Sequence, residues 1–376
     1  MTTKLPAARP LFPEEDLPRV LEQIGEVLRS GRLILGPKTQ ELETEFARRV
    51  GTKHAVALSS CTAALEIAFR HLGVEGKEVI IPANTFVATV NAALNAGASV
   101  VFCDMHPEDF CLDVEDAIKR ISDKTAALVV VHLAGFVPRD FDRLRSVCRA
   151  KKIALVEDCA HAHGASLTGE VVGSLGHIGC FSFYPTKIIT CGVGGMLTTD
   201  DDEAAALARS LRHHGAGASL EDVVHSGNDW LMDEVRAVLC LEQLARLDEF
   251  VATRRTIAGR YDELLTKLPN VRPPRPAPET VPVYYKYPVL LPLGTHRDNI
   301  RQELADKHGI ECGSLYSPPA HLMPVFRKRL GTEPGKLPAA EALLGRQLCL
   351  PMHAAMTVAD ADRVVAALTE VLRTRA

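Results

Sequence analysis

Short apolar runs alternate with helical patterns through the N-terminal half of the chain. The runs have the length of buried strands and lie at residues 54–58, 79–81, 100–103, 127–132 and 153–157. Helical patterns lie between the earlier runs, at residues 62–72, 87–95 and 114–121. Alternation of this kind indicates parallel strands covered by helices. The sequence therefore predicts an α/β fold.

The pattern changes in the second half of the chain. Two more short strands are predicted at residues 179–183 and 196–199, followed by a helix at 201–212 and a long helical segment with an apolar stripe at 233–268. The C-terminal region is mixed, with a strand at 285–291 and helices at 297–308 and 358–373. A chain of 376 residues with 47% hydrophobic side chains is long enough for two domains. We place them at residues 1–250, with the N-terminal segment 1–30 included, and 251–376.

Composition excludes several classes of function. The formal net charge of −4 and the pI near 6.4 provide no general basic field, so nucleic-acid binding is not expected. The ten cysteines show no pair at zinc-ribbon spacing, which disfavours a thiol or metal protein and suggests reduced thiols in the cytoplasm. No signal peptide and no membrane span is predicted.

One lysine and one aspartate suggest carbonyl chemistry. Lys187 ends a short turn after an apolar run, and desolvation of a lysine favours its neutral, nucleophilic amine. Asp158 ends another apolar run, and ligands gather at the carboxyl ends of parallel strands. Pyridoxal phosphate (PLP) needs this pair, a lysine for its aldehyde and an acid for its ring nitrogen. A snorkelling lysine and a helix-capping aspartate are the alternatives for each residue alone.

PLP also needs a cradle for its phosphate. Ser60, Cys61 and Thr62 lie between a strand and the helix at residues 62–72, where free backbone amides attract phosphate. A plain helix cap would explain the same residues. Ser182, in the segment that leads to Lys187, adds a hydroxyl.

Two further side chains are candidates for contact with the cofactor ring. Phe86 follows a predicted strand and can stack on a planar ring, although a core phenylalanine is the default. His161 lies three residues after Asp158 and can hydrogen-bond the phenolic oxygen of the ring. We expect no metal site at His161 and His163, because no third ligand accompanies them at metal spacing.

Six segments of the chain form an ordered set of motifs. They are Ser60-Cys61-Thr62-Ala63-Ala64-Leu65, Pro82-Ala83-Asn84-Thr85-Phe86, Glu157-Asp158-Cys159-Ala160-His161-Ala162-His163-Gly164-Ala165, Phe181-Ser182-Phe183-Tyr184-Pro185-Thr186-Lys187, Gly194-Gly195 and Gln243-Leu244. In this order they resemble the motifs of one enzyme family, the DegT/DnrJ/EryC1/StrS aminotransferases. The similarity extends over nearly the whole chain, from about residue 31 to residue 351.

The resemblance implies a fold-type I PLP transferase. Such an enzyme has a large domain with a mainly parallel seven-stranded sheet covered by helices, and a smaller C-terminal α+β domain. It also implies a homodimer with shared active sites and a cofactor that alternates between PLP and pyridoxamine phosphate.

The resemblance also implies roles for single residues. PLP is bound covalently by Lys187, Asp158 pairs with the ring nitrogen, and Phe86 stacks on the ring. Ser182 and the turn of Ser60, Cys61, Thr62 and Ala63 bind the phosphate. His161 stands where the family usually has glutamine, and Cys61 stands where it usually has glycine.

Other implied contacts depart from the family pattern. The partner subunit usually contributes an asparagine and, two positions later, a basic residue. Residue type selects Asn228 here, whereas counting back from Gln243 selects Asp229, and counting puts Leu231 in place of the basic residue. Candidate substrate contacts are Leu33, Tyr316 and His321. Lys286 could bind an anionic substrate group, although a solvated strand lysine is the simpler interpretation.

The expected activity is transfer of an amino group from an amino acid, by resemblance glutamate, to a nucleotide-linked keto sugar, with ping-pong kinetics. Three alternatives remain open at this point. They are transamination of a non-nucleotide keto sugar or cyclitol, a PLP-dependent sugar dehydratase, and a catalytically silent PLP-binding regulator. Lys187 argues against the dehydratase, because the related dehydratases replace that lysine by histidine.

Overall fold

The structure is a computed structural model that describes residues 4–268 and 270–373. Its strands, numbered in chain order, are β1 His54–Leu58, β2 Glu78–Pro82, β3 Ser99–Cys103, β4 Thr125–Val131, β5 Ala154–Asp158, β6 Ser166–Leu167, β7 Glu170–Val171, β8 Ile178–Ser182, β9 Gly195–Thr199, β10 Thr280–Val281, β11 Tyr287–Leu290 and β12 Gln347–Leu350. The five strands predicted in the N-terminal half are all present as β1 to β5.

The helices surround these strands. They are α1 Leu17–Ser30, α2 Pro37–Val50, α3 Cys61–His71, α4 Val87–Asn95, α5 Val114–Lys119, α6 Phe141–Lys151, α7 Asp202–Leu211, α8 Glu234–Ala245, α9 Leu247–Leu265, α10 Arg297–His308, α11 Pro324–Leu330, α12 Pro338–Leu344 and α13 Val358–Arg373. In the described residues no helix combines the length and the apolar character needed to cross a membrane.

Seven strands form one central sheet in the order β1-β9-β8-β5-β4-β2-β3. The pairs β2–β3, β2–β4, β4–β5 and β5–β8 are parallel, and β9 is antiparallel to both β8 and β1. The expected α/β architecture with a mainly parallel seven-stranded sheet is therefore confirmed. Because β9 reverses direction between β8 and β1, the carboxyl ends of β1, β5 and β8 all point to the same edge of the sheet.

Both faces of the sheet are covered. One apolar cluster joins alternate sheet residues such as Val56 and Val129 to α3 and α4. A second joins the intervening residues, such as Ala57 and Val130, to α2, α6 and α8. Because successive side chains of a strand point to opposite faces, runs that are apolar throughout can be buried on both sides.

The C-terminal region has its own core. Strands β11 and β12 pair antiparallel and pack with α9, α10 and α13 in a third apolar cluster. Leu5, from the N-terminal segment, belongs to this cluster and forms a bridge to Ile310. The boundary between residues 250 and 251 stays a prediction, and α9 runs through it without a break.

Candidate active site

A cavity of about 360 Å³ opens at the carboxyl ends of β1, β5 and β8. In parallel sheets this edge is the usual place for a ligand. The cavity brings together most of the residues selected from the sequence; those that line it are Ser60, Cys61, Thr62, Phe86, Asp158, His161, Ser182, Lys187 and Tyr316.

Lys187 lies in a tight turn directly after β8. Its backbone amide donates to the carbonyl of Tyr184 at 2.9 Å, and the hydroxyl of Thr190 donates to the carbonyl of Phe183 at 2.8 Å. The Nζ atom lies 4.8 Å from the centre of the Tyr285 ring. Within the described residues no carboxylate lies within 4.0 Å of Nζ, so the amine is not held in an ion pair.

Asp158 is the last residue of β5, and its carboxylate is fixed by two donors. Thr89 donates its hydroxyl to Oδ2 at 2.8 Å, and the amide of Ala160 donates to Oδ1 at 3.1 Å. Burial raises the pKa of Asp158, while these two hydrogen bonds and the charge of Lys187 act in the opposite direction. A buried carboxylate of this kind gains stability from a cationic partner, and the protonated ring nitrogen of PLP fits that requirement.

The turn before α3 has donors for an anion. The hydroxyl of Ser60 accepts from the amide of Ala63 at 3.1 Å, so Ser60 does act as a helix cap. The amides of Cys61 and Thr62 come first in α3 and find no acceptor in the described part of the protein. A helix N-terminus with free amides suits a phosphate group. Ala63 is not among the residues that line the cavity.

The opposite side of the turn is closed by a glycine at the start of β9. A Cβ atom on Gly195 would lie 2.2 Å from the carbonyl carbon of Ser60 and 2.4 Å from the nitrogen of Cys61. Both contacts are with backbone, which cannot rotate away. The shape of the phosphate turn therefore depends on the absence of a side chain at residue 195.

His161 is held in one tautomer. Its Nδ1 accepts from the amide of Ala134 at 3.3 Å, so the ring hydrogen of the neutral form is on Nε2, which lies 3.0 Å from the hydroxyl of Tyr316. Burial, together with the charges of Lys187 and Lys286, lowers the pKa of His161 well below its usual range. The residue is therefore a neutral hydrogen-bond donor beside the cavity.

Some predicted residues lie elsewhere. His321 is buried away from the cavity, with Nε2 3.1 Å from the carboxylate of Glu341. Leu33 is 48% exposed, and its carbonyl accepts from the amide of Glu234. Asn228 and Asp229 are exposed and line no part of the cavity. None of these four residues lines the cavity of its own chain.

The sequence interpretation missed several lining or supporting residues. Thr89 holds Asp158 from α4, and nothing in the local sequence sets it apart from other helical threonines. Tyr285 lies under Lys187, and its hydroxyl is 2.9 Å from the hydroxyl of Thr186. The run of tyrosines beside Lys286 was the available signal for Tyr285. Burial opposes ionisation of Tyr285, but the charges of Lys187 and Lys286 outweigh it and lower the pKa of the phenol.

A buried cluster behind the cavity has ligand types that metals use. Atoms of His132, Glu157 and Cys159 lie within 4.8 Å of one another. The carboxylate of Glu157 already accepts from the amides of Gly173 and Gly176, at 2.9 and 2.7 Å, and lies 2.8 Å from Nε2 of His132. The two amide donors show that the Glu157 carboxylate anchors the loop between β7 and β8.

Comparison with known proteins agrees with this geometry. The family model described as the DegT/DnrJ/EryC1/StrS aminotransferase family matches residues 15–369. The dTDP-3-amino-3,4,6-trideoxy-alpha-D-glucose transaminase of Micromonospora megalomicea subsp. nigra is 36% identical over 96% of both chains. The GDP-perosamine synthase of Caulobacter vibrioides is 39% identical over 88% of this chain and 89% of its own.

Solved structures add information on the cofactor. Spr1654 of Streptococcus pneumoniae, whose structure is known in a PLP form, matches with a TM-score of 0.91 and 30% identity over 99% of each chain. Its PMP form matches equally well, over 99% of this chain and 100% of that one. In sequence, fold and site, the chain belongs to the DegT/DnrJ/EryC1/StrS aminotransferase family and is a PLP-dependent aminotransferase.

Proposed function

We propose that this enzyme transfers an amino group from glutamate to a nucleotide-linked keto sugar in amino sugar biosynthesis. The observation that carries the proposal is the meeting of Lys187 and Asp158 in one cavity at the sheet edge. The names of the two curated relatives, one a dTDP-sugar transaminase and the other a GDP-perosamine synthase, support a nucleotide sugar as acceptor.

The residues that line the cavity have different roles in binding the cofactor and moving protons. When bound, PLP supplies an electron sink for the carbon that gains or loses the amino group. Lys187 would attach the cofactor, and its free Nζ would then take and return the proton at that carbon. Asp158 would keep a proton on the ring nitrogen, and the amides of Cys61 and Thr62 with the hydroxyls of Ser60 and Ser182 would hold the phosphate.

The remaining cavity residues orient the ring. Phe86 is 54% exposed at the cavity mouth, and the centre of its ring lies 5.7 Å from that of the Tyr316 ring, a position suited to stacking on the cofactor. Nε2 of His161 would donate to the phenolic oxygen of the cofactor in place of the Tyr316 hydroxyl, which lies 3.0 Å away. Because His161 is neutral, it orients that oxygen without adding a charge.

We further propose a homodimer whose two subunits complete each other's sites. Exposed apolar side chains on the segment before Asn228 support this arrangement, because an isolated subunit would leave them in water; they are Leu220, Val223 and Val224. The exposed Asn228 would then approach the phosphate of the cofactor bound to the partner subunit. Leu231 favours a second candidate acceptor, a keto sugar or cyclitol without a nucleotide, because it places no cation near the substrate.

The location we propose is the cytoplasm. All ten cysteines are free and buried, which is the state expected of thiols in a reducing compartment.

A single assay tests donor and acceptor. Purified enzyme is incubated with glutamate and with a panel of nucleotide-linked keto sugars and keto cyclitols, and release of 2-oxoglutarate is followed. Turnover with a nucleotide-linked sugar is the expected result. Turnover with cyclitols alone would favour the second candidate. Conversion of the cofactor by glutamate without turnover on either group would contradict both acceptor classes.

A further inference from the structure

We infer that Lys286 binds the α-carboxylate of the amino donor, an inference that rests on the proposed function. In the described structure, the Asp, Glu, Lys and Arg side chains that line the cavity are three: Asp158, Lys187 and Lys286. The proposed function uses the first two for the cofactor. Lys286 therefore remains as a positive charge in the cavity without an assigned partner.

The ammonium group of Lys286 has donors to spare. Its Nζ donates to the carbonyl of Ser314 at 2.6 Å and lies 5.8 Å and 5.9 Å from the ring centres of Tyr285 and Tyr316. No carboxylate of the described chain lies within 4.0 Å of it. An ammonium has three N–H donors, so two remain for an anionic ligand.

Because Lys286 lines the same cavity as Lys187, an anionic group of the amino donor is its expected ligand. Both ammonium groups lie near the same ring, that of Tyr285, at 4.8 Å for Lys187 and 5.8 Å for Lys286. In an amino acid the carboxyl carbon is only about 2.5 Å from the amino nitrogen, so a donor reacting at Lys187 keeps its α-carboxylate in the cavity that Lys187, Tyr285 and Lys286 line together. The diphosphate of a nucleotide sugar is separated from the reacting ketone by several bonds of the sugar ring.

The backbone around Lys286 is fixed before any ligand arrives. Nη1 of the buried Arg254 donates to the carbonyls of Tyr284 and Tyr285, both at 3.3 Å. The amide of Lys286 donates to the carbonyl of Ala134 at 3.4 Å, and β11 begins at the next residue. A cation held in this way loses little freedom when it binds an anion, which favours tight and selective binding.

Binding to the PLP-loaded enzyme tests the inference without turnover. The probe is α-methylglutamate, which lacks the α-hydrogen that transamination removes, and its dissociation constant is measured by titration calorimetry. For Lys286→Met we expect a constant about 10- to 100-fold higher than wild type, as for loss of a charge-assisted hydrogen bond. Lys286→Arg should remain within a few-fold of wild type. The matched control is Lys267→Met, at an exposed lysine near the end of α9, which should change nothing.

Two amides identify which carboxylate is bound. From the rate of cofactor conversion, wild type should prefer glutamate over isoglutamine, whose α-carboxylate is an amide, and Lys286→Met should lose that preference. Loss of the preference for glutamate over glutamine would assign Lys286 to the γ-carboxylate and overturn the inference. Weakened binding of dTDP with unchanged binding of α-methylglutamate would also overturn it.

Failure of the proposed function has a different signature. If glutamate does not convert the cofactor in wild type, the proposed donor is wrong. The comparison is then made with the amino acid that does convert it and with its α-amide, because the argument for Lys286 depends only on the α-carboxylate. Equal effects of Lys286→Met on that amino acid and its amide would reject the role of Lys286.

Discussion

Asp158 is placed where its own charge is costly. It is 6% exposed, and burial raises the pKa of its carboxyl. Two hydrogen bonds offset part of the cost, and a further hydroxyl, that of Thr85, lies 2.8 Å from the hydroxyl of Thr89 that supports it. A site that stores an unfavourable charge in this way is ready for a cationic ligand.

Replacement of Asp158 by asparagine should raise the stability of the cofactor-free protein and lower the catalytic rate of the PLP-loaded enzyme. Burial raises the pKa of Asp158 in the folded protein above its value in the unfolded chain, so the protonated carboxyl favours folding relative to the carboxylate. This contribution to stability is complete below the ordinary carboxyl pKa and is lost as pH rises through the folded pKa. Cofactor-free Asp158→Asn should therefore melt at a higher temperature than cofactor-free wild type at pH 8. The difference should shrink toward pH 4, which scanning calorimetry can follow.

Catalysis should change in the opposite direction. An amide cannot hold the proton on the ring nitrogen, so kcat should fall by about 100-fold or more, although PLP still binds. Asp123→Asn, at an exposed loop aspartate, is the control for both measurements. Equal melting temperatures of Asp158→Asn and wild type across this pH range would show that burial does not penalise the carboxylate.

Single residues also show what sequence reasoning can and cannot reach. Lys187, Asp158 and Ser182 were found because strand ends and turns have recognisable patterns, and the structure places all three in one cavity. Thr89 was missed because its role depends on α4 lying beside β5, which is a tertiary contact. His321 was selected by resemblance, yet its imidazole turns toward Glu341 and away from the cavity.

At the scale of elements, the start of β9 shapes the phosphate turn. Gly195 pairs with Leu58 of β1 and with Ser182 of β8, so it lies between the two strands that lead into the site. The backbone of Ser60 and Cys61 occupies the space that a side chain on residue 195 would need. Strand pairing prevents β9 from moving aside.

Gly195→Ala should therefore damage both the fold and cofactor binding. We expect a loss of about 1–3 kcal/mol in the free energy of unfolding, from overpacking against rigid backbone, and weaker PLP binding because the amides of Cys61 and Thr62 are displaced. Denaturant unfolding and absorbance titration with PLP measure the two effects.

Gly259→Ala is the matched control for this substitution. A Cβ at residue 259, inside α9, would meet no atom of residues 4–268 or 270–373 within 4 Å, so the free energy of unfolding of that variant should rise by about 0.5–1 kcal/mol. PLP binding of Gly195→Ala equal to that of Gly259→Ala would contradict the role given to the turn.

Helix boundaries were harder to predict than strands. The apolar stripe at residues 233–268 predicted one helix, but the structure has two, α8 and α9, which meet at Arg246. No glycine or proline marks the break. Arg246 binds the carboxylates of Asp16 and Glu249, and α8 packs against α1 and α2 while α9 packs against α13. The break is thus set by tertiary contacts that a local pattern does not contain.

At the scale of the whole molecule, the site draws on distant parts of the chain. Asp158 ends β5 of the central sheet and Lys187 lies in the turn after β8, whereas Tyr285, Lys286 and Tyr316 come from the region after α9. The alternating pattern and the resemblance together predicted the sheet and the general fold. The resemblance also predicted Tyr316 as a substrate contact, but neither signal predicted that Tyr285 lies beside Lys187, because that contact depends on packing between segments far apart in sequence.

Mixing two inactive variants tests whether sites are shared between subunits. If Asn228 serves the partner's cavity, a mixed dimer of Lys187→Ala and Asn228→Ala contains one site with both residues intact. After unfolding and refolding an equimolar mixture, we expect about a quarter of wild-type activity, since half the dimers are mixed and each has one good site. The same mixture with Asp229→Ala distinguishes the two candidate residues.

The mixing experiment has clear contrary outcomes. Recovery with Asp229→Ala but not with Asn228→Ala would assign the shared contact to Asp229. No recovery with either variant, in a preparation whose mass by light scattering is twice 40.8 kDa, would mean that the dimer does not share its sites in this way.

The burial of all ten cysteines has a practical consequence. Ellman's reagent reacts only with solvent-accessible thiols, so it should release almost no coloured product with the native enzyme. A buried cysteine becomes reactive only when the region around it unfolds. Because these residues are spread from Cys61 in the phosphate turn to Cys349 in β12, the kinetics of their labelling would show which regions of the enzyme open first.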